Sequence, residues 1–427
     1  MQLYQSPISP GRSWYEDGIE RPAFGALTER IDTDVVVVGG GFTGLSAALH
    51  LARAGVGVVL LEAHRLGDGA SGRNGGQMGT GQRLWPAELE ALYGFARSKA
   101  LFDLAEAAKR HLLSFMAENG IDADYRAGQL SVAHKRRYVA DYREQAEVLA
   151  TRYGYGDAQF MDAEETAARV GSKRYFGGIR DTGTGHINPM KLVVGTARLA
   201  GEAGAQLFEA SAVTAISRQD GRIIVSTAGG EVRAERALIA TNASGAGLHP
   251  ETARHILPIS SFIGATEPLA EPERVLPGGE SCDDSRFVVR YFRKSADNRL
   301  LFGGREAYTS ATGDIASHIR RQIAEVYPHL AGVRLTHAWG GSVGITLQRM
   351  PFVRTLGPGI TAIGGFSGHG VMLSNFAGRL YAERIIGLTD QLSVLEQLDL
   401  GAFPGGRLLR TPLLFLAMTW FSLRDRL

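Results

Sequence analysis

A mixed α/β (α+β) fold is predicted from three features of the sequence. A run of four valines, Val35 to Val38, is followed at once by clustered glycines and a helical pattern. A second strand–glycine–helix segment begins at Ile360. Between residues 256 and 307 the pattern changes to longer alternating segments, typical of antiparallel strands. Together they predict a Rossmann-like domain and a separate antiparallel sheet.

The first of these features matches the pattern G-x-G-x-x-G at Gly39, Gly41 and Gly44. In a strand–turn–helix unit the first glycine allows a tight turn, the second lets a pyrophosphate approach the backbone, and the third lets the helix pack closely. Glu62 ends the next predicted strand, where a ribose hydroxyl needs an acceptor. An acid there disfavours NADP. The alternative is an ordinary βαβ unit whose glycines serve packing alone.

The closing segment points to a flavin rather than a nicotinamide. Gly365, Gly368 and Gly370 lie between a short strand and a long helix, where bare backbone could approach a flat ligand. A helix N-terminus aimed at the ring would stabilise the negative charge of a reduced flavin. His369 could add a donor or a positive charge, or serve only as a capping residue. Two such units at opposite ends of the chain favour FAD over NAD.

Composition narrows the other possibilities. The chain has 427 residues and a formal net charge of +2, so no affinity for nucleic acid is expected. A single cysteine, Cys282, excludes an intramolecular disulfide and a cysteine-rich metal site; no metal site is predicted. No signal peptide or transmembrane span is apparent, and a cytoplasmic location is expected. The apolar tail (401–427) is predicted to form a helix, packed on the protein or touching a membrane surface.

Several segments, in order, carry a resemblance to a known family: SGRNGGQ (71–77), YRAGQL (125–130), ADNRLLFGG (296–304), RMPFVRTL (349–356), GFSGHGV (365–371) and FPGGRLLRTPL (403–413). With them the chain resembles the gamma-glutamylputrescine oxidoreductase branch of the D-amino-acid-oxidase-like (DAO) flavoproteins, over nearly its whole length. The resemblance implies a DAO or glutathione-reductase-2-like fold. We expect an FAD-binding domain from residues 30–90, 155–250 and 335–400, and a substrate-binding domain from 91–154 and 251–334.

The resemblance also implies where FAD is held. Some relatives attach the flavin to a cysteine near the end of the chain, where this sequence has none, so noncovalent FAD is expected. The expected contacts are Gly39, Gly41, Phe42, Thr43, Gly44, Glu62, Ala63, Ala70, Ser71, Arg73, Asn74, Gly75, Gly76, Gln77, Val213, Thr241, Asn242, Gly365, Phe366, Gly368, His369, Gly370 and Val371.

The implied chemistry is oxidation of a C–N bond, in which an amine gives an imine and then an aldehyde and ammonia, while dioxygen or another acceptor takes the electrons. An arginine should grip the far carboxylate of a gamma-glutamyl amine, and aromatic residues should surround its methylenes. The catalytic candidates are His369, Trp339, Arg349, Tyr291 and Arg305. Further candidates are Arg290 for the carboxylate, and Phe292 and Tyr308 for the aromatic tunnel. Each has plain core packing as its alternative.

Three hypotheses follow from the sequence. The first is an oxidase of gamma-glutamylputrescine or a related polyamine derivative. The second keeps the fold but oxidises a secondary amine or amino acid, such as sarcosine or pipecolate, whose carboxylate would require an arginine close to the ring. The third is a flavin-binding scaffold or redox sensor without turnover.

Overall fold

The secondary structure follows the predicted alternation of strands and helices. The computed structural model describes residues 11–307 and 315–404, except the side chains of 246 and 305–307. The strands are β1 (Arg30–Val38), β2 (Val58–Leu61), β3 (Arg126–Val132), β4 (Ala158–Met161), β5 (Gly178–His186), β6 (Gln206–Phe208), β7 (Val213–Gln219), β8 (Arg222–Thr227), β9 (Glu231–Ile239), β10 (Leu257–Pro268), β11 (Ser281–Asp284), β12 (Tyr291–Lys294), β13 (Arg299–Ala307), β14 (Leu335–Ile345), β15 (Phe352–Gly357) and β16 (Ile360–Gly364). The helices are α1 (Phe42–Arg53), α2 (Pro86–Tyr93), α3 (Phe95–Glu118), α4 (Val139–Arg152), α5 (Ala163–Val170), α6 (Pro189–Glu202), α7 (Pro250–His255), α8 (Ile315–Val326), α9 (Val371–Ile385) and α10 (Ser393–Glu396).

The first sheet has the order β15-β16-β9-β1-β2-β6. Strands β6, β2, β1, β9 and β16 run parallel. Strands β7 and β8 extend this sheet: β8 pairs antiparallel with β9, and β7 pairs antiparallel with β8. Because parallel strands end at one edge, the ends of β1, β2, β9 and β16 lie together there, where ligands bind in open α/β sheets.

The opening motif forms the predicted strand–turn–helix unit. Val35 to Val38 are at most 3% exposed, as expected for a strand covered on both faces. Helix α1 buries Leu45, Ala48 and Leu49 against the sheet and packs along α9. Full burial of each such leucine contributes roughly 1.5–3 kcal/mol. The helix thus has one fixed orientation relative to the turn at Gly39.

The second sheet has the order β14-β10-β13-β12-β11-β3-β5-β4 and is antiparallel except where β11 meets β3. One face of its centre is apolar: Leu130, Val132 and Cys282 are fully buried in a core covered by α8. The alternate positions Gln129, Ser131 and Asp283 project to the other face, because successive side chains of a strand point to opposite sides. Around β3 and β11 this second face is polar, whereas Ile263, Leu301 and Trp339 on the same face of other strands pack in the core shared with the first sheet.

Sheet membership corrects the expected division of the chain. Strands β4, β5 and β14 fall in ranges assigned to the FAD-binding domain (155–250 and 335–400), yet they pair within the second sheet. Their local patterns predict strands but not partners, since pairing is decided by residues far away in the sequence. We propose that these strands belong to the substrate-binding domain.

The structure bears on three other parts of the chain: any membrane-spanning helix, the C-terminal tail and the N-terminal residues. In residues 11–307 and 315–404, no helix combines the length and apolar character that crossing a bilayer requires. The predicted tail helix lies outside the described residues beyond 404, so its packing stays a prediction. Of the N-terminal arm, Tyr15 is the anchor: it is 1% exposed, its hydroxyl donates to Asn74 O at 2.9 Å, and its ring packs edge-on against Trp339.

Candidate active site

A large cavity lies between the two sheets. Its volume is about 1140 Å³, above the roughly 300–1,000 Å³ of pockets for drug-sized ligands. It begins at the glycine turn after β1, passes the loop 69–77 and the start of α9, and ends against the polar face of the second sheet and α4. One continuous space can therefore hold a long cofactor with a smaller molecule beside it.

The start of α1 leaves its first turn without a side-chain cap. The cap residue is Gly41, which has no side chain to accept from the helix. Ser71 Oγ accepts from the Phe42 N–H at 2.9 Å, which ties the loop 69–77 to this turn. A Cβ on Gly44 would overlap the carbonyl of Gly39, so only glycine lets α1 pack this close. The first turn of α1 is thus a ready anion site.

Glu62 lies where its sequence position predicts, at the end of β2 on the cavity wall. Its Oε2 accepts from Gly40 N at 2.7 Å and its Oε1 from His64 N at 3.0 Å. Burial raises the pKa of this carboxyl, while these two hydrogen bonds oppose the rise. Each carboxylate oxygen can accept a second hydrogen bond, so the side chain keeps capacity for ribose hydroxyls. Val213 lines the same end of the cavity.

The loop 69–77 is held in shape by its own asparagine. Asn74 Nδ2 donates to the carbonyls of Ala70 and Ser71, and its Oδ1 accepts from Gly76 N at 2.7 Å. From outside, Arg293 Nε donates to Gly75 O at 2.6 Å. These bonds fix bare backbone along the cavity without placing a bulky side chain in it.

The closing segment forms the second glycine turn. Asn242 Oδ1 accepts from Gly365 N at 2.8 Å, linking the end of β9 to the end of β16. Like α1, α9 begins at a glycine, Gly370, without a side-chain cap. Helices α5 and α6, which begin away from the cofactor half of the cavity, are capped by Asp162 and Asn188. Apart from Phe42 N–H, which Ser71 Oγ accepts, the first-turn N–H groups of the two helices that begin in the glycine turns can bind a ligand.

His369 is neutral in this arrangement. Burial, together with the charges of Arg83 and Lys109, lowers the pKa of its imidazole to about 4, while the hydrogen bond to Gly81 O opposes the fall. Its Nε2 lies 3.0 Å from Gly81 O and must be the donor, because a carbonyl only accepts. The positive charge expected of this residue is therefore unsupported, and its ring N–H already has an acceptor. Only Nδ1 remains, as an acceptor.

Most of the predicted site residues line the cavity. Every expected FAD contact does so except Gly44 and Gly365, which act by close packing and by backbone bonding. Among the catalytic candidates, Tyr291 and Arg349 line it with His369. The Tyr291 ring lies between Gly75 and Gly303, and its hydroxyl is 3.1 Å from Ser261 Oγ.

Three expectations about side chains need correction. Trp339 does not line the cavity; it is fully buried and its Nε1 donates to Arg73 O at 3.0 Å. Arg73 lines the cavity, but its guanidinium donates to the carbonyls of Gly340 and Gly11. Arg290 also lies outside the lining and pairs with Glu325 at 2.5 Å. All three side chains support structure, which the sequence pattern alone cannot separate from function.

The remaining candidates for the substrate site are Phe292, Arg305 and Tyr308. Phe292 is buried in the core of the second sheet, against Phe302. The backbone of Arg305 belongs to β13, but its side chain and the whole of Tyr308 lie outside the described part of the chain, so both stay predictions.

Sequence reasoning missed several polar residues of the substrate half. Asp283, Gln129 and Ser131 line the cavity from the second sheet, and Arg83 and Arg286 reach it from loops. Burial and the neighbouring Arg290 lower the pKa of Arg286 to about 10, and its guanidinium pairs with Asp284. Polar–apolar alternation in β3 and β11 was a usable signal, but it does not tell a solvent-facing strand from a cavity-facing one.

The residues present fit FAD. Two uncapped helix starts can face its pyrophosphate and its ring, and a carboxylate stands at the adenosine end. The Thr241 hydroxyl, on the same wall, is buried without a hydrogen-bond partner among the described residues. Cys282 is fully buried in the other core, and burial raises the pKa of its thiol well above the usual range. A thiol in that state cannot reach the cavity, which supports noncovalent binding.

Comparison with known proteins agrees with this site. The DAO family model, described as FAD dependent oxidoreductase, matches residues 34–384. The chain is 57% identical to a probable oxidoreductase OrdL of Rhizobium meliloti, over 99% of both chains. It is 38% identical to the gamma-glutamylputrescine oxidoreductase of Escherichia coli, over 95% of both.

Solved structures agree on the fold. Glycine oxidase from Geobacillus kaustophilus superposes with a TM-score of 0.72 at 21% identity, over 87% of this chain and 97% of that one. L-proline dehydrogenase from P. horikoshii gives 0.70 at 20% identity, over 85% and 96%. The chain therefore belongs to the DAO family of FAD-dependent oxidoreductases, whose members act on C–N bonds of amines and amino acids.

Proposed function

We propose that this protein is an FAD-dependent oxidase of a primary amine, with gamma-glutamylputrescine or a related polyamine derivative as substrate. The observation that carries the proposal is the extent of the cavity. Beyond the cofactor half it continues along the polar face of the second sheet to Tyr142 and Asp141 on α4. That length suits an elongated substrate better than a compact amino acid. The gamma-glutamylputrescine oxidoreductase at 38% identity over nearly the full chain supports the same substrate class.

The lining of the substrate half is consistent with a chain of methylenes between polar ends. Tyr291, Tyr142 and Phe287 present aromatic surface, while Asp283, Arg286 and Arg349 present charge. The Arg349 guanidinium lies 5.8 Å from the centre of the Phe287 ring. Apolar walls with a few placed polar groups are typical of small-molecule sites.

FAD, when bound, supplies an acceptor for the two electrons and the hydrogen that leave the C–N carbon. Residues of this chain would stabilise charge at the ring end of the cavity and position the substrate. The uncapped start of α9 favours negative charge at the ring end of the cavity. Tyr291, fixed between two glycines, borders the substrate position.

We propose dioxygen as the electron acceptor, with hydrogen peroxide as product. We also propose a reducing compartment such as the cytoplasm, on the ground that the single cysteine allows no disulfide within the chain.

Anaerobic titration of the visible flavin band tests the proposal. The purified holoprotein is mixed in turn with gamma-glutamylputrescine, putrescine, spermidine, sarcosine and pipecolate. We expect bleaching by gamma-glutamylputrescine, and return of colour with peroxide when air is admitted. Bleaching by sarcosine or pipecolate alone would replace this function with amino-acid or secondary-amine oxidation. Bleaching by none would favour a flavin-binding scaffold.

A further inference from the structure

Asp283 occupies an unusual position on the wall of the substrate half. It lies on β11 opposite Ser131 of β3 and Tyr291 of β12. Its neighbour Cys282 faces the apolar core, so the carboxylate of Asp283 must face the cavity. Asp283 pairs with Tyr291 on the neighbouring strand, and the ring of Tyr291 packs on Gly75. Asp283 therefore lies close to the loop 69–77, which borders the expected cofactor position.

The carboxylate of Asp283 is held by neutral donors. Gln129 Nε2 donates to its Oδ2 at 2.5 Å, and the Ser131 hydroxyl is a second donor. Among the described residues no lysine, arginine or histidine forms an ion pair with it. Burial raises the pKa of this carboxyl, because the hydrogen bonds only partly replace lost hydration. A half-buried carboxylate without an ion-pair partner is stabilised by a cation that enters beside it.

Arg83 provides a positive charge nearer the mouth of the same cavity. Arg83 lines the same cavity but is exposed, at the start of α2. Its positive charge influences the titration of Asp283, His369 and Tyr142, so it lies within electrostatic reach of all three. No carboxylate among the described residues pairs with it. The cavity therefore offers a carboxylate without an ion-pair partner, Asp283, and nearer the solvent a cation without one, Arg83.

We propose that Asp283 binds the cationic nitrogen of the substrate and Arg83 binds a carboxylate remote from it. The two charges then act as a selectivity device for substrates whose amine and carboxylate are separated by several bonds. This order is the reverse of what an amino-acid substrate needs, since its carboxylate adjoins the reacting carbon. The inference rests on the proposed function and assigns specificity-determining residues to that site.

Equilibrium binding to the reduced holoenzyme tests the assignment without turnover. The flavin is reduced with dithionite under anaerobic conditions, and the Kd is measured calorimetrically for gamma-glutamylputrescine and for N-acetylputrescine. The second ligand keeps the amine but lacks the carboxylate. The variants are Asp283→Asn and Arg83→Gln. Their controls are Glu144→Gln, an exposed carboxylate on α4 outside the cavity lining, and Arg97→Gln, an exposed arginine outside the cavity.

We expect Asp283→Asn to weaken binding of both ligands by about tenfold or more, the usual effect of losing a charge-assisted hydrogen bond. Arg83→Gln should weaken binding of gamma-glutamylputrescine by about tenfold and leave N-acetylputrescine within twofold. Both controls should stay within twofold. Asp283→Glu, which keeps the charge, should recover part of the affinity and serves also if the asparagine variant does not retain FAD.

The possible results distinguish failure of the proposed subsite from failure of the proposed function. If the wild-type protein binds gamma-glutamylputrescine but the Asp283 variants bind both ligands unchanged, the cation subsite is refuted and the proposed function stands. If Arg83→Gln weakens both ligands equally, its assignment to the carboxylate is refuted. If the wild-type protein binds neither ligand and is bleached by no amine, the proposed function and the subsite fall together.

Discussion

Replacing Gly44 by alanine tests whether the contact between α1 and the glycine turn creates the FAD site. The added Cβ would overlap the Gly39 carbonyl oxygen and lie 3.1 Å from its carbon and 3.2 Å from a methyl of Val37. Because real Cβ atoms essentially never approach another heavy atom within 3.0 Å, α1 must retreat by roughly 1 Å or more. The backbone N–H groups of its first turn retreat with it.

The expected loss of FAD affinity follows from that displacement. A hydrogen bond to a charged group is worth about 1.5–3 kcal/mol, so losing one such bond weakens the Kd about 10- to 100-fold. Overpacking should also cost about 1–3 kcal/mol in the free energy of unfolding of the apoprotein.

The assay is titration of apoprotein with FAD, followed by flavin fluorescence, with thermal unfolding measured in parallel. Gly69→Ala is the matched control: this glycine also lines the cavity, but an added Cβ would meet nothing within 4 Å. Its Kd should stay within twofold of the wild-type value. A Gly44→Ala protein that binds FAD as tightly as the control would refute the packing argument.

Three further predictions concern the residues around the cavity. Asn242→Ala should cost about 1–3 kcal/mol in the free energy of unfolding, measured by urea denaturation, because the buried N–H of Gly365 loses its acceptor. Trp339→Phe should lower the same free energy by about 1 kcal/mol, through loss of the bond to Arg73 O, and leave KM unchanged; a large rise in KM would restore Trp339 to the substrate site. The pKa of His369, lowered to about 4, means that its stabilising contribution is complete above pH 6.5 and is lost as the pH falls toward 4, since the unfolded chain binds the proton first. His369→Gln should therefore reduce the fall in Tm between pH 6.5 and 4.5, and an unchanged profile would contradict a neutral buried imidazole.

The elements that the sequence predicted correctly are those whose geometry is set by neighbouring residues. Val35 to Val38, the glycine turn and helix α1 follow one another within a few residues, and each imposes its own geometry. Local rules also explain the side chain of Asp162, which caps α5. The FAD half of the site is made of such local units, so nearly all its expected contacts line the cavity.

The substrate half depends on distant parts of the chain. Gln129 and Asp283 meet only because β3 and β11 pair in parallel, although about 150 residues separate them. Trp339, Arg290 and Arg73 have the residue types of a binding site, but their neighbours turn them into structural supports.

The sequence by itself determined the dinucleotide unit, the preference for FAD and the family, because glycine spacing and hydrophobic period act within one supersecondary unit. Only the tertiary structure decided which polar strand face borders the cavity, and which arginines reach it. The physical reason is that strand pairing and burial are properties of residues far apart in the chain, which no local pattern specifies.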